Sequence, residues 1–173
     1  MDLITALAVS IGALAAVATY LFLGILPPGW QLWAAFIGWA SFYGAGGKQA
    51  GLQASITANI WGAVLAAIAL FIILKSGMGA GMPLPLWAAI VVGISVVILV
   101  LGAKMPQLAA IPSSVYGYAS VAAATLLIPK AADNLTQGTL DNPFVAVLLS
   151  MILGNIFGFV SEQLAGHLNA PKA

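Results

Sequence analysis

The chain has 173 residues, of which 62% are hydrophobic and only 5% charged, where a soluble domain carries roughly 25% charged residues. Nine Lys, Asp and Glu side chains cannot cover a soluble fold of this size, so the composition predicts an integral membrane protein. A net charge of +1 without a basic cluster leaves no footprint for nucleic acid, the absence of Cys removes thiol chemistry, and a single His, His167, builds no His-rich metal site.

Six apolar stretches follow in chain order, each read against the roughly 20 residues that cross about 30 Å of hydrocarbon. The first runs from Ile4 to Ile25 and stops at Pro27-Pro28. It lacks a basic leader region and reads as a retained span, not a cleaved signal peptide. The second, Gln31 to Ala45, is short and aromatic (Trp33, Phe36, Trp39, Phe42, Tyr43) and ends at Gly46-Gly47. The third covers Gly51 to Leu74, and the fourth, the most aliphatic, covers Leu86 to Ala103. The fifth, Pro112 to Ile128, is short and rich in hydroxyls, and the sixth runs from Pro143 to Leu168. With six spans both termini share one side with Lys48, Lys104 and Lys172, against Lys75 and Lys130 on the other, which favours cytoplasmic termini.

The two halves resemble each other. Trp39-Ala40-Ser41 in the second span matches Tyr118-Ala119-Ser120 in the fifth, and Asn59-Ile60-Trp61-Gly62 in the third matches Asn155-Ile156-Phe157-Gly158 in the sixth. Three spans per repeat is an odd number, so the second repeat enters the bilayer from the opposite side, and solute paths of such proteins lie at the repeat interface. The expected fold is therefore an all-α integral membrane protein of six transmembrane helices arranged as two inverted three-helix repeats, with the second and fifth spans short. It forms one membrane domain over 1–173, with repeats over 1–78 and 84–168.

Ala58 and Gly62 in the third span, and Gly154 and Gly158 in the sixth, recur every four residues and read as helix-packing faces, within the protomer or in a homo-oligomer. Asn59 and Asn155 lie deep in their spans, where an amide needs a partner. They read either as interhelical hydrogen-bond glue or as a central polar pair on a solute path. Ser41 and Ser120 add hydroxyls to that candidate path, and Trp39, Tyr118, Trp61 and Phe157 add aromatics that could narrow it. Such a lining suits a neutral or weakly basic small molecule. Glu162 is the sole acid within a span and reads either as a residue snorkelling to the interface or as a proton or cation site. Lys48 follows Gly46-Gly47 but lacks the remaining positions of a phosphate loop.

Several of these segments resemble one catalogued family: Trp33-Ala34-Ala35-Phe36-Ile37-Gly38, Phe42-Tyr43-Gly44-Ala45-Gly46-Gly47, Gly51-Leu52, Ile111-Pro112-Ser113 and Gly154-Asn155-Ile156-Phe157-Gly158-Phe159. The chain is similar, over nearly its whole length, to small bacterial inner-membrane proteins catalogued as domain-of-unknown-function 1097. The resemblance implies a bacterial plasma-membrane location and a compact multi-span fold, and it carries no activity or site residues across.

The expected function is a small-solute channel or facilitator in the lipid bilayer. The alternatives are a non-conducting accessory subunit and a proton-coupled transporter that uses Glu162. No enzyme activity is expected, because no nucleophile–base set, paired carboxylates or metal-ligand cluster is present, and no cofactor or metal is called for.

Overall fold

A computed structural model describes residues 1–169, so Lys172 lies outside the described residues. The described residues form six α-helices. α1 spans Leu3–Tyr20 and continues as a π-turn over Leu21–Ile25; α2 spans Leu32–Gly44; α3, Lys48–Leu74; α4, Leu84–Leu101; α5, Ile111–Leu127; and α6, Pro143–Asn169. Four segments are long and apolar enough to cross a membrane: Leu3–Ile25, Lys48–Leu74, Leu84–Lys104 and Pro143–Asn169. The protein is thus a helical membrane protein in which α2 and α5 are short. At 1.5 Å per residue, α2 reaches only about 20 Å and α3 about 40 Å.

The helix boundaries follow local chemistry. Asp2 caps α1 by accepting the Thr5 N–H at 3.0 Å. Pro85 and Pro112 stand in the first turns of α4 and α5, where a missing N–H costs nothing. Asn142 starts α6: its Oδ1 accepts the Phe144 N–H at 2.9 Å, while its Nδ2 donates to the Leu135 and Gln137 carbonyls and fastens the preceding loop. The third span begins at Lys48, three residues ahead of the Gly51 expected from hydropathy. Gly46, Gly47 and Lys48 all take positive φ (+96°, +65° and +57°), which reverses the chain tightly and lets the helix start at once.

α3 and α6 are the central, antiparallel pair: Asn59 meets Asn155, while further along α3 Leu70 shares a core cluster with Val147. α2 lies parallel to α6, with the Gln31 N–H on Ser150 Oγ at one end and the Lys48 N–H on Glu162 at the other. α5 lies against α3 in the same way, α1 packs on α6, and α4 packs on α3. α4 is the most exposed of the long helices and buries only Val91, Ser95 and Leu99. Its aliphatic outer face suits lipid, as its composition predicts.

Two close crossings hold the bundle together, and both are made by glycine. A Cβ on Gly62 would overlap the Ser114 carbonyl oxygen, and one on Gly117 would overlap that of Asn59, which sets the α3–α5 crossing. A Cβ on Gly154 would overlap the Ala35 carbonyl oxygen, and one on Gly38 that of Met151, which sets the α2–α6 crossing. Without a hydrophobic drive between helices in lipid, backbone-to-backbone approach of this kind supplies the dispersion contact that holds them.

Candidate functional site

Helical spacing sets up a polar cluster at mid-bundle. Ser55 and Asn59 are four residues apart and so share one face of α3, which is turned toward Asn155 on α6. Asn155 Nδ2 donates to Asn59 Oδ1 at 2.9 Å and to the Met151 carbonyl at 2.8 Å. Asn59 Nδ2 donates to Ser41 Oγ at 3.0 Å and to the Ser113 carbonyl at 2.8 Å. Ser55 donates its hydroxyl to Asn155 Oδ1. Six residues on four helices are tied together, and Ser41, Ser55, Asn59 and Asn155 are all 0% exposed. No member carries a charge. A buried network of this kind is worth having only when its donors are used, and both amide nitrogens donate twice here.

Toward the 129–142 loop the cluster is sealed by apolar side chains. Ala63, Ala66 and Leu70 of α3 pack with Val121 and Ala124 of α5 and with Val147 and Met151 of α6. Toward the other end the buried Phe42 and Trp39 rings are joined by further polar groups. Ser161 Oγ receives the Trp39 indole N–H at 3.1 Å and lies 2.7 Å from the Tyr43 hydroxyl. One residue later, the Glu162 carboxylate accepts the Lys48 N–H at 2.7 Å, at the N-terminus of α3, where the helix dipole favours negative charge. A Cβ on Gly47 would collide with that carboxylate.

The family described as "Protein of unknown function (DUF1097)" matches residues 8–166. The chain belongs to this family. No curated protein and no solved structure matches. The residue roles in this family member therefore rest on its own geometry.

Of the residues singled out from the sequence, Asn59, Asn155 and Ser41 come together in the cluster. Trp39 and Phe157 also meet, with stacked rings 5.6 Å apart, and Phe36 stacks with Trp39 at 5.9 Å. Tyr118 and Trp61 lie elsewhere, both directed at the α4 region: Tyr118 Oη sits 2.8 Å from Ser95 Oγ, and Trp61 Nε1 donates to the Leu99 carbonyl at 3.2 Å. Ser120 is 3% exposed, its Oγ has no partner among the described residues, and it lines an open groove of about 500 Å³ between α2 and α5 with Trp33, Ile37 and Tyr116. Gly62 and Gly154 make the backbone crossings, Gly158 accommodates the Phe42 ring, and Ala58 is fully buried.

Sequence reasoning missed Ser55 and Ser161, which complete the polar interior. Ser55 was findable, since it stands one helical turn before Asn59. Ser161 was not, because its partners Trp39 and Tyr43 lie more than a hundred residues away.

Proposed function

We propose that this protein is a small-solute facilitator of the bacterial plasma membrane, built as two inverted three-helix repeats and described here in a closed state. The observation that carries the reading is the uncharged Asn59–Asn155–Ser41–Ser55 cluster, buried at mid-bundle directly beneath an apolar plug. As helix glue, each amide bond contributes only about 0.6 kcal/mol in a membrane bundle. As a station for a neutral polar molecule, the same groups supply donors and acceptors where hydrocarbon has none, and they impose no charge barrier.

The paired crossings support the repeat. Gly38 and Gly117 occupy matching places on the two short helices, and Gly62 and Gly154 on the two central ones. The equivalence supported by backbone contact is thus Gly62 with Gly154, one helical turn away from the Gly62–Gly158 match of the sequence motifs. Under it Asn59 corresponds to Met151 and Asn155 to Ala63, so one half of the interface is polar and the other apolar. A path through it passes from a polar half into an apolar plug.

In this reading both termini are cytoplasmic, and Glu162 acts as the helix cap that fastens α6 to the α2–α3 turn, not as a proton carrier. Opening requires Val147, Met151 and their neighbours to move aside. The test is osmotic shrinkage of proteoliposomes in acetamide. Met151→Ala, which thins the plug, raises the permeability above wild type. Permeability equal to that of protein-free liposomes for both proteins refutes the reading.

One observation favours a second reading, the non-conducting accessory subunit. Asn59 and Asn155 are 0% exposed and find all their partners within the protein. That reading expects no flux of any solute and co-purification with a partner protein.

A further inference from the structure

We infer that the groove between α2 and α5 binds a membrane-dissolved amphiphile, an apolar molecule with one hydroxyl or carbonyl oxygen, seated on Ser120. The inference goes beyond the facilitator reading and does not rest on it. Trp33, Ile37 and Ala40 recur along one face of α2, and Tyr116, Ser120 and Ala123 along one face of α5. The two faces border about 500 Å³ of open space. Each short helix makes its close backbone approach elsewhere, Gly38 to Met151 of α6 and Gly117 to Asn59 of α3, and this leaves the groove between them. α2 and α5 run antiparallel, so Trp33 lies with Ala123 toward one end and Ala40 with Tyr116 toward the other, about 10 Å apart at 1.5 Å per residue. Trp33 and Tyr116 are 38% and 41% exposed, so the groove opens on the outer face of the bundle.

The Ser120 hydroxyl points to the chemistry of the occupant. The residue is 3% exposed, and its Oγ has no partner among the described residues. Other buried hydroxyls of the bundle are used. Ser55, Ser95, Thr125, Ser150 and Ser161 each donate to a carbonyl three or four residues back on their own helix. Ser41, in the matching aromatic-Ala-Ser motif of α2, receives the Asn59 amide. An unpaired buried hydroxyl is costly, and hydrocarbon offers it no partner. A ligand oxygen in the groove supplies one. The remaining walls limit that ligand to a single polar atom. Ile37, Ala40, Ala119 and Ala123 carry no hydrogen-bonding side chain, the Trp33 indole N–H is already given to Gln31 Oε1 at 2.9 Å, and Tyr116 stands at the exposed rim. A second polar group on the ligand would be buried without a partner, and an alkane would leave Ser120 unpaired. None of the lining side chains is charged, so nothing there compensates an ion.

The probe is octanol carrying a photoreactive diazirine on its chain, applied to the full protein in proteoliposomes. Labelled positions are read by mass spectrometry, with plain octanol or octane as competitor at equal membrane concentration. Label is expected on α2 and α5 at the groove, and octanol reduces it while octane does not. Ser120→Ala removes the hydroxyl and breaks no hydrogen bond within the described residues, so it folds as stably as wild type. Its groove labelling falls about fivefold, as the loss of one hydrogen bond predicts. Ala119→Phe fills the groove and abolishes labelling there, while label on the outer face of α4 is unchanged. Should that larger side chain prevent folding, Ser120→Ala and the octane comparison still decide. Equal groove labelling of wild type and Ser120→Ala overturns the inference. So does competition by octane as strong as that by octanol, or label spread evenly over the groove and the outer face of α4.

Discussion

Asn155 donates its side-chain amide to the side-chain oxygen of Asn59 across 2.9 Å, joining α6 to α3 at a depth where neither residue touches solvent. This bond couples the two residues energetically. Asn155→Leu strips partners from Asn59 Oδ1 and Ser55 Oγ, and Asn59→Leu strips Ser41 Oγ and Asn155 Nδ2. Each single change costs about 1–2 kcal/mol, because it leaves a buried polar atom unpaired. The double change costs less than the sum of the two. Equilibrium unfolding in mixed micelles across the four proteins measures the difference, and strict additivity refutes the coupling.

The glycine crossings give a sharper contrast. Gly62→Ala and Gly154→Ala each push a methyl group into a carbonyl oxygen of the neighbouring helix and destabilise by about 1–3 kcal/mol. Gly93→Ala, on α4, meets nothing within 4 Å and stays within about 0.5 kcal/mol of wild type. Thermal unfolding midpoints of the three variants check the order. Equal effects at all three sites contradict the crossing geometry.

Much of this was legible in the sequence, and the limits are instructive. Hydropathy located the six helices, of which four are long and apolar enough to cross a membrane and satisfy their own backbone there. The matched Asn-Ile-aromatic-Gly motifs brought Asn59 and Asn155 to attention, and the two residues do meet. The motifs align Gly62 with Gly158, whereas the close backbone crossings are made by Gly62 and Gly154. Helical spacing fixes a face but not which residue of that face makes the closest approach, so sequence alone does not single out the crossing glycine. Aromatic character puts Trp61 and Tyr118 among the candidate path residues, and in the fold both hydrogen-bond α4 residues. Which neighbour stands opposite a face is decided by the crossings, and those depend on residues far away in the chain.

The α2–α3 turn couples two positions tightly. Gly47 has φ +65° and leaves room for Glu162 to reach the Lys48 N–H. Gly47→Ala therefore suffers both backbone strain and a clash with the carboxylate. Adding Glu162→Ala relieves the clash alone, so the pair restores only part of the lost stability. Unfolding of the single and double variants tests this; full restoration shows that the positive φ carries no cost.

Acid loosens the cap at the start of α1. The Thr5 hydroxyl and backbone N–H both donate to Asp2 and hold its carboxyl below the usual carboxylate range. A depressed folded value means the contribution is complete above about pH 4, the unfolded value, and is lost as pH falls through the lower, folded one. Protection of the Thr5 amide, taken relative to its intrinsic exchange rate at each pH, falls over that acidic window in wild type. Asp2→Ala shows the low protection at every pH, and a pH-independent difference between the two proteins contradicts the cap.

The central claim is that a neutral polar solute crosses at the Asn59–Asn155 cluster. Stopped-flow light scattering of proteoliposomes in acetamide, with wild type beside Asn59→Leu/Asn155→Leu, tests it most directly. Wild type is expected to pass acetamide faster than protein-free liposomes, and the double variant, shown folded by its unfolding transition, to fall to the protein-free rate. A folded double variant that conducts like wild type contradicts the claim, as does a wild type no faster than lipid alone.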